Sequence, residues 1–297
     1  MRVLVFSRYI LILLFVFLFA SCEIISPKVT VPAYITIPSF VFTTDEITQG
    51  SNSNKISDAW VYVDGELIGT FELPAKFPVL KDGLHKVEIR AGIKLNGISS
   101  TRIDYPYLES FVTTVQLTPN QETILIPTFT YYSNTVFKWL ENFENIGVSI
   151  SENGTSVSKF KLLQNSAEVF EGNKCGYVEM DQTNNFFEIG TKEEYDLPKD
   201  GATVILELNY KNSEEMLVGI YANTPSSVTQ ELALKLRATT NASGNLEWNK
   251  IYINLTPFVS KHTTATSYKI FFGGTLRDKP EVSKAVYYID NIKLVHR

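Results

Sequence analysis

The chain has 297 residues, 44% of them hydrophobic and 12% aromatic, and a formal net charge of −5. That is enough apolar material for two ordinary domains, and the acidic balance implies no basic patch for nucleic acid. Two cysteines, Cys22 and Cys175, do not make a disulfide scaffold, so stability must come from the core.

Arg2 and Arg8 precede an uncharged apolar run, Tyr9 to Ala20, which reads as an export signal. The run falls short of the roughly 20 residues a transmembrane helix needs, and polar, proline-containing sequence follows it. Cleavage before Cys22 is expected. Phe19-Ala20-Ser21-Cys22 resembles the lipobox of bacterial lipoproteins, with Phe where Leu is usual, a variation found among the Bacteroidota. The resemblance implies a chain tethered to the outer membrane by lipid (palmitate) on Cys22, because two acyl chains anchor stably where one holds only marginally. Residues 1–21 are then a lipoprotein signal peptide and 22–32 a tether. Glu23 is followed by Ile24, Ile25, Ser26, Pro27 and Lys28 rather than by an acidic run, which favours the periplasmic face over the cell surface.

From Ala33 onward, short alternating or β-branched runs are separated by Gly, Asn, Asp and Pro, without sustained helical periodicity, so the fold class is all-β. Ala59 to Val63, Asp64-Gly65 and Leu67 to Phe71 read as a hairpin whose turn needs positive φ. Pro74, Pro78, Asp82-Gly83 and a strand over His85 to Arg90 follow. This order resembles the PEGA-like family of small β-sandwiches over residues 59–90, and departs from it after Ile89. Strands over 109–117 and 122–129 complete a PEGA-like or immunoglobulin-like sandwich at 33–133.

A second unit, 137–297, opens on Phe137 to Glu144 and closes on Ala285 to Leu294, with strand-like runs at 176–180, 186–189, 203–210, 216–222, 231–237, 248–255 and 268–273. These suffice for a two-sheet jelly roll. Asn142-Phe143-Glu144, Trp248 to Thr256 and Tyr288 to Ile292 resemble the galactose-binding-like jelly rolls, including many carbohydrate-binding modules. That resemblance implies a structural calcium whose ligands would be Glu144 and Asp290, with Glu141 assisting; the competing reading has Glu144 at an edge and Asp290 accepting hydrogen bonds from the Asn291 turn.

No nucleophile elbow, zinc-binding helix, P-loop or dinucleotide fingerprint occurs, and His85, His262 and His296 are not at metal-ligand spacing. The chain is expected to be no enzyme. Trp139 and Trp248 are placed in the core, and Tyr131, Tyr132 and Phe187 are candidates for sugar stacking, because adjacent aromatics on a strand turn one ring outward. The expected function is a non-catalytic binding or structural module of the cell envelope, with an envelope protein complex or a glycan as partner; the alternative is a surface lipoprotein that captures carbohydrate through its jelly roll.

Overall fold

A computed structural model describes residues 31–297. The expected signal segment, the expected lipidation residue Cys22 and nearly all of the expected tether lie outside the described residues.

The first sandwich is built from β1 (Ala33–Ile37), β2 (Val41–Phe42), β3 (Asp58–Val63), β4 (Glu66–Glu72), β5 (Ala75–Val79), β6 (Gly83–Lys94), β7 (Arg102–Asp104), β8 (Phe111–Leu117), β9 (Glu122–Ile124) and β10 (Thr128–Phe129), with one short helix, α1 (Glu46–Gln49). One sheet runs β4-β3-β6-β7 with β8 also on β6, and it faces a smaller sheet, β5-β1-β9. The β3–β4 turn is the expected one: Asp64 and Gly65 hold φ of 53° and 83°, the left-handed geometry a tight hairpin requires. Ile35, Ile37, Val61, Val63, Val87 and Ile89 fill the space between the sheets, each from the inward set of an alternating strand.

The second sandwich contains β11 (Val136–Glu141), β12 (Ile150–Glu152), β13 (Phe160–Gln164), β14 (Lys174–Asp181), β15 (Phe186–Thr191), β16 (Val204–Asn212), β17 (Met216–Asn223), β18 (Val228–Leu236), β19 (Asn249–Asn254), the helix α2 (Thr256–Lys261), β20 (Ser267–Thr275) and β21 (Lys284–His296). Its six-stranded sheet has the order β13-β14-β21-β16-β19 with β11 also on β21, and its five-stranded sheet the order β12-β15-β20-β17-β18. Leu206, Leu208, Val218, Ile220, Ile270, Phe272, Ile289 and Leu294 meet between them. Trp139 belongs to this core, as expected, and its indole N–H donates to Ser149 Oγ at 2.8 Å.

The two sandwiches share a joint. Ile205, Tyr252 and Val295, on the outer face of the six-stranded sheet, pack into the core of the first sandwich rather than their own. Tyr107 donates its hydroxyl to the Thr203 carbonyl at 2.6 Å, and the Lys55 and Asn254 amides donate across the joint to Tyr252 Oη and Asn96 Oδ1 at 2.9 and 2.8 Å.

Candidate functional site

Alternation along β16 sends Leu206 and Leu208 inward and Glu207, Asn209 and Lys211 outward, yet the whole strand is buried. Glu207 lies at the centre of the joint. Its Oε1 accepts from Tyr105 and from Tyr131, the latter at 2.9 Å, and its Oε2 is 3.2 Å from Lys250 Nζ. Lys293 Nζ donates to the Ser51 carbonyl at 2.6 Å. Burial works against the Glu207 carboxylate, but Lys250, Lys293 and the two phenols outweigh it and hold its pKa below the usual value. Burial pulls Lys293 down to about 8. This network holds the two sandwiches together, and its charges touch only one another and neutral groups.

Beside the joint, β21 turns sharply at Asn291, whose φ is 47°. Asp290 is fully buried there; its Oδ1 accepts from the Asn291 amide at 2.8 Å and its Oδ2 has no partner among the described residues. Burial lifts its pKa to about 7 despite the Asn291 and Glu171 amides, and the Glu171 and Glu144 carboxylates add to the rise. Glu144 is near enough to Asp290 to raise its pKa. Glu144 Oε1, however, accepts from the Asn173 and Lys174 amides, both at 2.7 Å, and Glu141 is taken up by the amides of Phe143 and Ser149. Among the described residues no three His, Cys, Asp or Glu side chains form a metal-binding group.

The outer face of the five-stranded sheet carries a different arrangement. Phe271 on β20 lies opposite Gly190 on one side and Gly219 on the other. A Cβ on Gly219 would sit 2.5 Å from the Phe271 ring, so glycine is what lets that ring lie down on the sheet. Tyr221 packs on it, with ring centroids 5.1 Å apart. Its hydroxyl and the Asn153 amide both donate to Glu188 Oε1, while Gln230 Nε2 donates to Glu188 Oε2 at 2.8 Å and to Tyr221 Oη at 3.0 Å. Asn153 is itself pinned, its amide N–H donating to the Glu188 carbonyl at 2.9 Å. Burial and the Glu188 carboxylate push the Tyr221 phenol well above its ordinary pKa, so it stays a neutral donor. Two amides, a phenol and a carboxylate are therefore fixed around the half-buried ring of Tyr221, which rests on the buried Phe271. Sequence reasoning missed all four, since residues 153, 188, 221 and 230 meet only through strand register.

The residues singled out for stacking are placed otherwise. Tyr131 is buried in the joint and Phe187 in the core, so neither offers a ring face to a ligand. In the Phe186-Phe187 pair it is Phe186 that faces outward, beneath the Arg277 guanidinium, 4.8 Å from its ring centroid. Tyr132 is half-buried, with Arg297 4.2 Å above its ring. Trp248, expected in the core, is half-buried on the covered outer side, where its indole N–H donates to the Glu168 carbonyl at 3.0 Å and Phe170 packs against it. Cys175, on β14, is fully buried, and burial pushes its thiol up to about 12.

No family model and no curated protein matches the chain. Among solved structures, a carbohydrate-binding module from the β-sandwich superfamily, described for promiscuous specificity, is similar at 16% identity with a TM-score of 0.40, covering 90% of this chain and 99% of that one. A carbohydrate-binding module specific for non-crystalline cellulose is similar at 15% identity and a TM-score of 0.36, covering 52% and 92%. A family 11 carbohydrate-binding module of a cellulosomal cellulase of Clostridium thermocellum is similar at 14% identity and a TM-score of 0.37, covering 54% and 95%.

Proposed function

We propose that the chain is a non-catalytic envelope lipoprotein, held to the outer membrane by lipid on Cys22, that captures saccharide on the outer face of its five-stranded sheet. The observation that carries this reading is a platform, the cluster of Glu188, Gln230 and Asn153 around the half-buried ring of Tyr221, which packs on the buried Phe271. Saccharides present hydroxyl pairs to amide and carboxylate groups and an apolar C–H face to an aromatic ring. Groups already fixed by their own hydrogen bonds lose little freedom when a ligand replaces one partner. The buried joint serves the same role from behind, holding the platform at a fixed orientation to the tethered end. It equally suits a spacer in an envelope protein assembly, which co-purification from membranes would reveal.

Glycan-array binding by residues 22–297 carrying Cys22→Ser tests the saccharide reading. Binding that survives in wild type and disappears in Tyr221→Ala supports it; an empty array, or equal binding by both, removes it. Metabolic labelling with an alkyne fatty acid tests the anchor, since Cys22→Ser should lose the label and leave the membrane fraction. A structural calcium remains part of the proposal, supported by the unpartnered Asp290 Oδ2 and the nearness of Glu171 and Glu144.

A further inference from the structure

At the open edge of the second sandwich, between β18 and β19 and beneath the Leu95–Gly97 turn of the first, runs a groove that the platform does not use. One part of it encloses about 520 Å³ and is lined by five cationic side chains, Lys55, Lys94, Lys235, Arg237 and Lys250, and by no carboxylate. The adjoining part, about 400 Å³, shares Lys55, Tyr210, Arg237 and Asn249 with it and extends to Trp248, with Glu247 as its one acid. In a chain of net charge −5 this is a local reversal of sign.

Two of the five cations are neutralised from outside: Lys94 pairs with Glu72 at 3.0 Å and Lys235 with Glu215 at 3.3 Å. Lys250, 3% exposed, is held from behind by the buried Glu207 carboxylate at 3.2 Å. The remaining two are free of ion pairs among the described residues: Lys55 Nζ donates to Asn249 Oδ1, an uncharged acceptor, and Arg237 is exposed. Two cations without counter-charges of their own, bordered by the single acid Glu247, offer what an anion needs to bind in competition with water.

We infer that this groove is a second binding site, for a negatively charged saccharide, in which Lys55 and Arg237 face the acid group and Trp248 borders the sugar ring. Burial and the like charge of Lys94 depress the Lys55 pKa, consistent with a cation that has no local counter-charge. The amide side chains of Asn96, Asn241 and Asn249 line the same groove and supply donors and acceptors for neutral ring hydroxyls. A saccharide with one charge per ring suits so short a basic stretch. A nucleic acid, with dense charge along its whole length, would meet the acidic remainder of the surface. The site lies on a different part of the sandwich from the platform and does not depend on it.

The test is titration calorimetry at low salt with an oligogalacturonate, a sulfated oligosaccharide and a neutral galacto-oligosaccharide of equal length, which separates carboxylate from sulfate as the acid group. The proteins are residues 22–297 with Cys22→Ser, the same chain with Lys55→Gln and Arg237→Gln together, and the same chain with Tyr221→Ala. The expected result is binding of at least one acidic probe that weakens about tenfold or more in the double variant, weakens with added salt and is unchanged in Tyr221→Ala. Arg237 is exposed, so Arg237→Gln alone keeps the comparison if the double variant melts early. Failure of both acidic probes to bind overturns the inference whatever the neutral probe does. So does equal binding by wild type and double variant, or loss of binding in Tyr221→Ala. A short single-stranded DNA that binds as tightly as the acidic sugars would overturn the saccharide assignment.

Discussion

In the second sandwich β16 and β17 follow one another in the chain but belong to opposite sheets, and their outward side chains differ in kind. β16 sends out Glu207, Asn209 and Lys211, all buried against the first sandwich or the 165–173 loop. β17 sends out Gly219 and Tyr221, which form a low, partly exposed floor. Buried charge is therefore a mark of the joint here, whereas amides and a phenol gathered on the single carboxylate of Glu188 mark the face left to solvent. Burial makes the first set costly to disturb and exposure makes the second free to exchange partners.

The strongest way to break this contrast is at Glu207. Glu207→Ala leaves Lys250 and Lys293 buried without their carboxylate, and denaturant unfolding should show a loss of about 3–5 kcal/mol. A loss no greater than that of an ordinary surface substitution would mean that the joint is open to water. Next, Phe271→Ala should cost about 3 kcal/mol, because the ring is 3% exposed although it sits on an outer face. Its melt should fall while the joint, followed by protection of the Tyr252 amide from hydrogen exchange, stays closed.

A smaller effect is expected at the end of β21. If calcium joins Asp290, millimolar calcium raises the melting temperature and chelator lowers it, by about 2.7 kcal/mol of mass action at a hundredfold excess over Kd. Asp290→Asn should abolish that response, and a chelator-insensitive wild type would remove calcium from the account. On the open face Tyr221→Phe deletes one hydroxyl, so stability should change by about 1 kcal/mol while saccharide binding falls by more.

The smallest effect belongs to an exposed pair on the first sandwich, His85 and Asp64, 2.7 Å apart. The hydrogen bond to Asp64 raises the His85 pKa, helped by the Asp82 carbonyl. The folded state therefore holds the proton more tightly: the pair's contribution is complete below the ordinary histidine pKa and is lost as pH rises through the folded one. His85→Gln should flatten the pH dependence of the melt over that window, and added salt should do the same to wild type.

Much of the strand order could be read from the sequence, because turns such as Asp64-Gly65 and short apolar runs such as 216–222 are locally determined. The faces could not. Leu206 to Lys211 alternates apolar and polar residues as a strand with one wet side would, but the polar side is covered by a second domain or the 165–173 loop, and alternation carries no information about that. For the same reason Tyr131 vanished into the joint, while Trp248 stands outside the core it was assigned to. Strand β1, with Ala33, Ile35 and Ile37 fully buried, alternates like the others and begins at the residue where the sequence places the end of the tether. The platform was illegible for a different reason: Asn153, Glu188, Tyr221 and Gln230 come from separate strands and loops, and only pairing brings them within hydrogen-bonding reach.

Cys175 gives the molecule a built-in reporter. With Cys22 changed to serine it is the sole sulfhydryl of the chain, and only the thiolate reacts with disulfides or alkylating reagents. Shut inside the fold and holding its proton up to about pH 12, it stays inert toward such reagents, so the protein should purify without mixed disulfides. Its alkylation rate in rising denaturant then clocks the opening of β14 one molecule at a time.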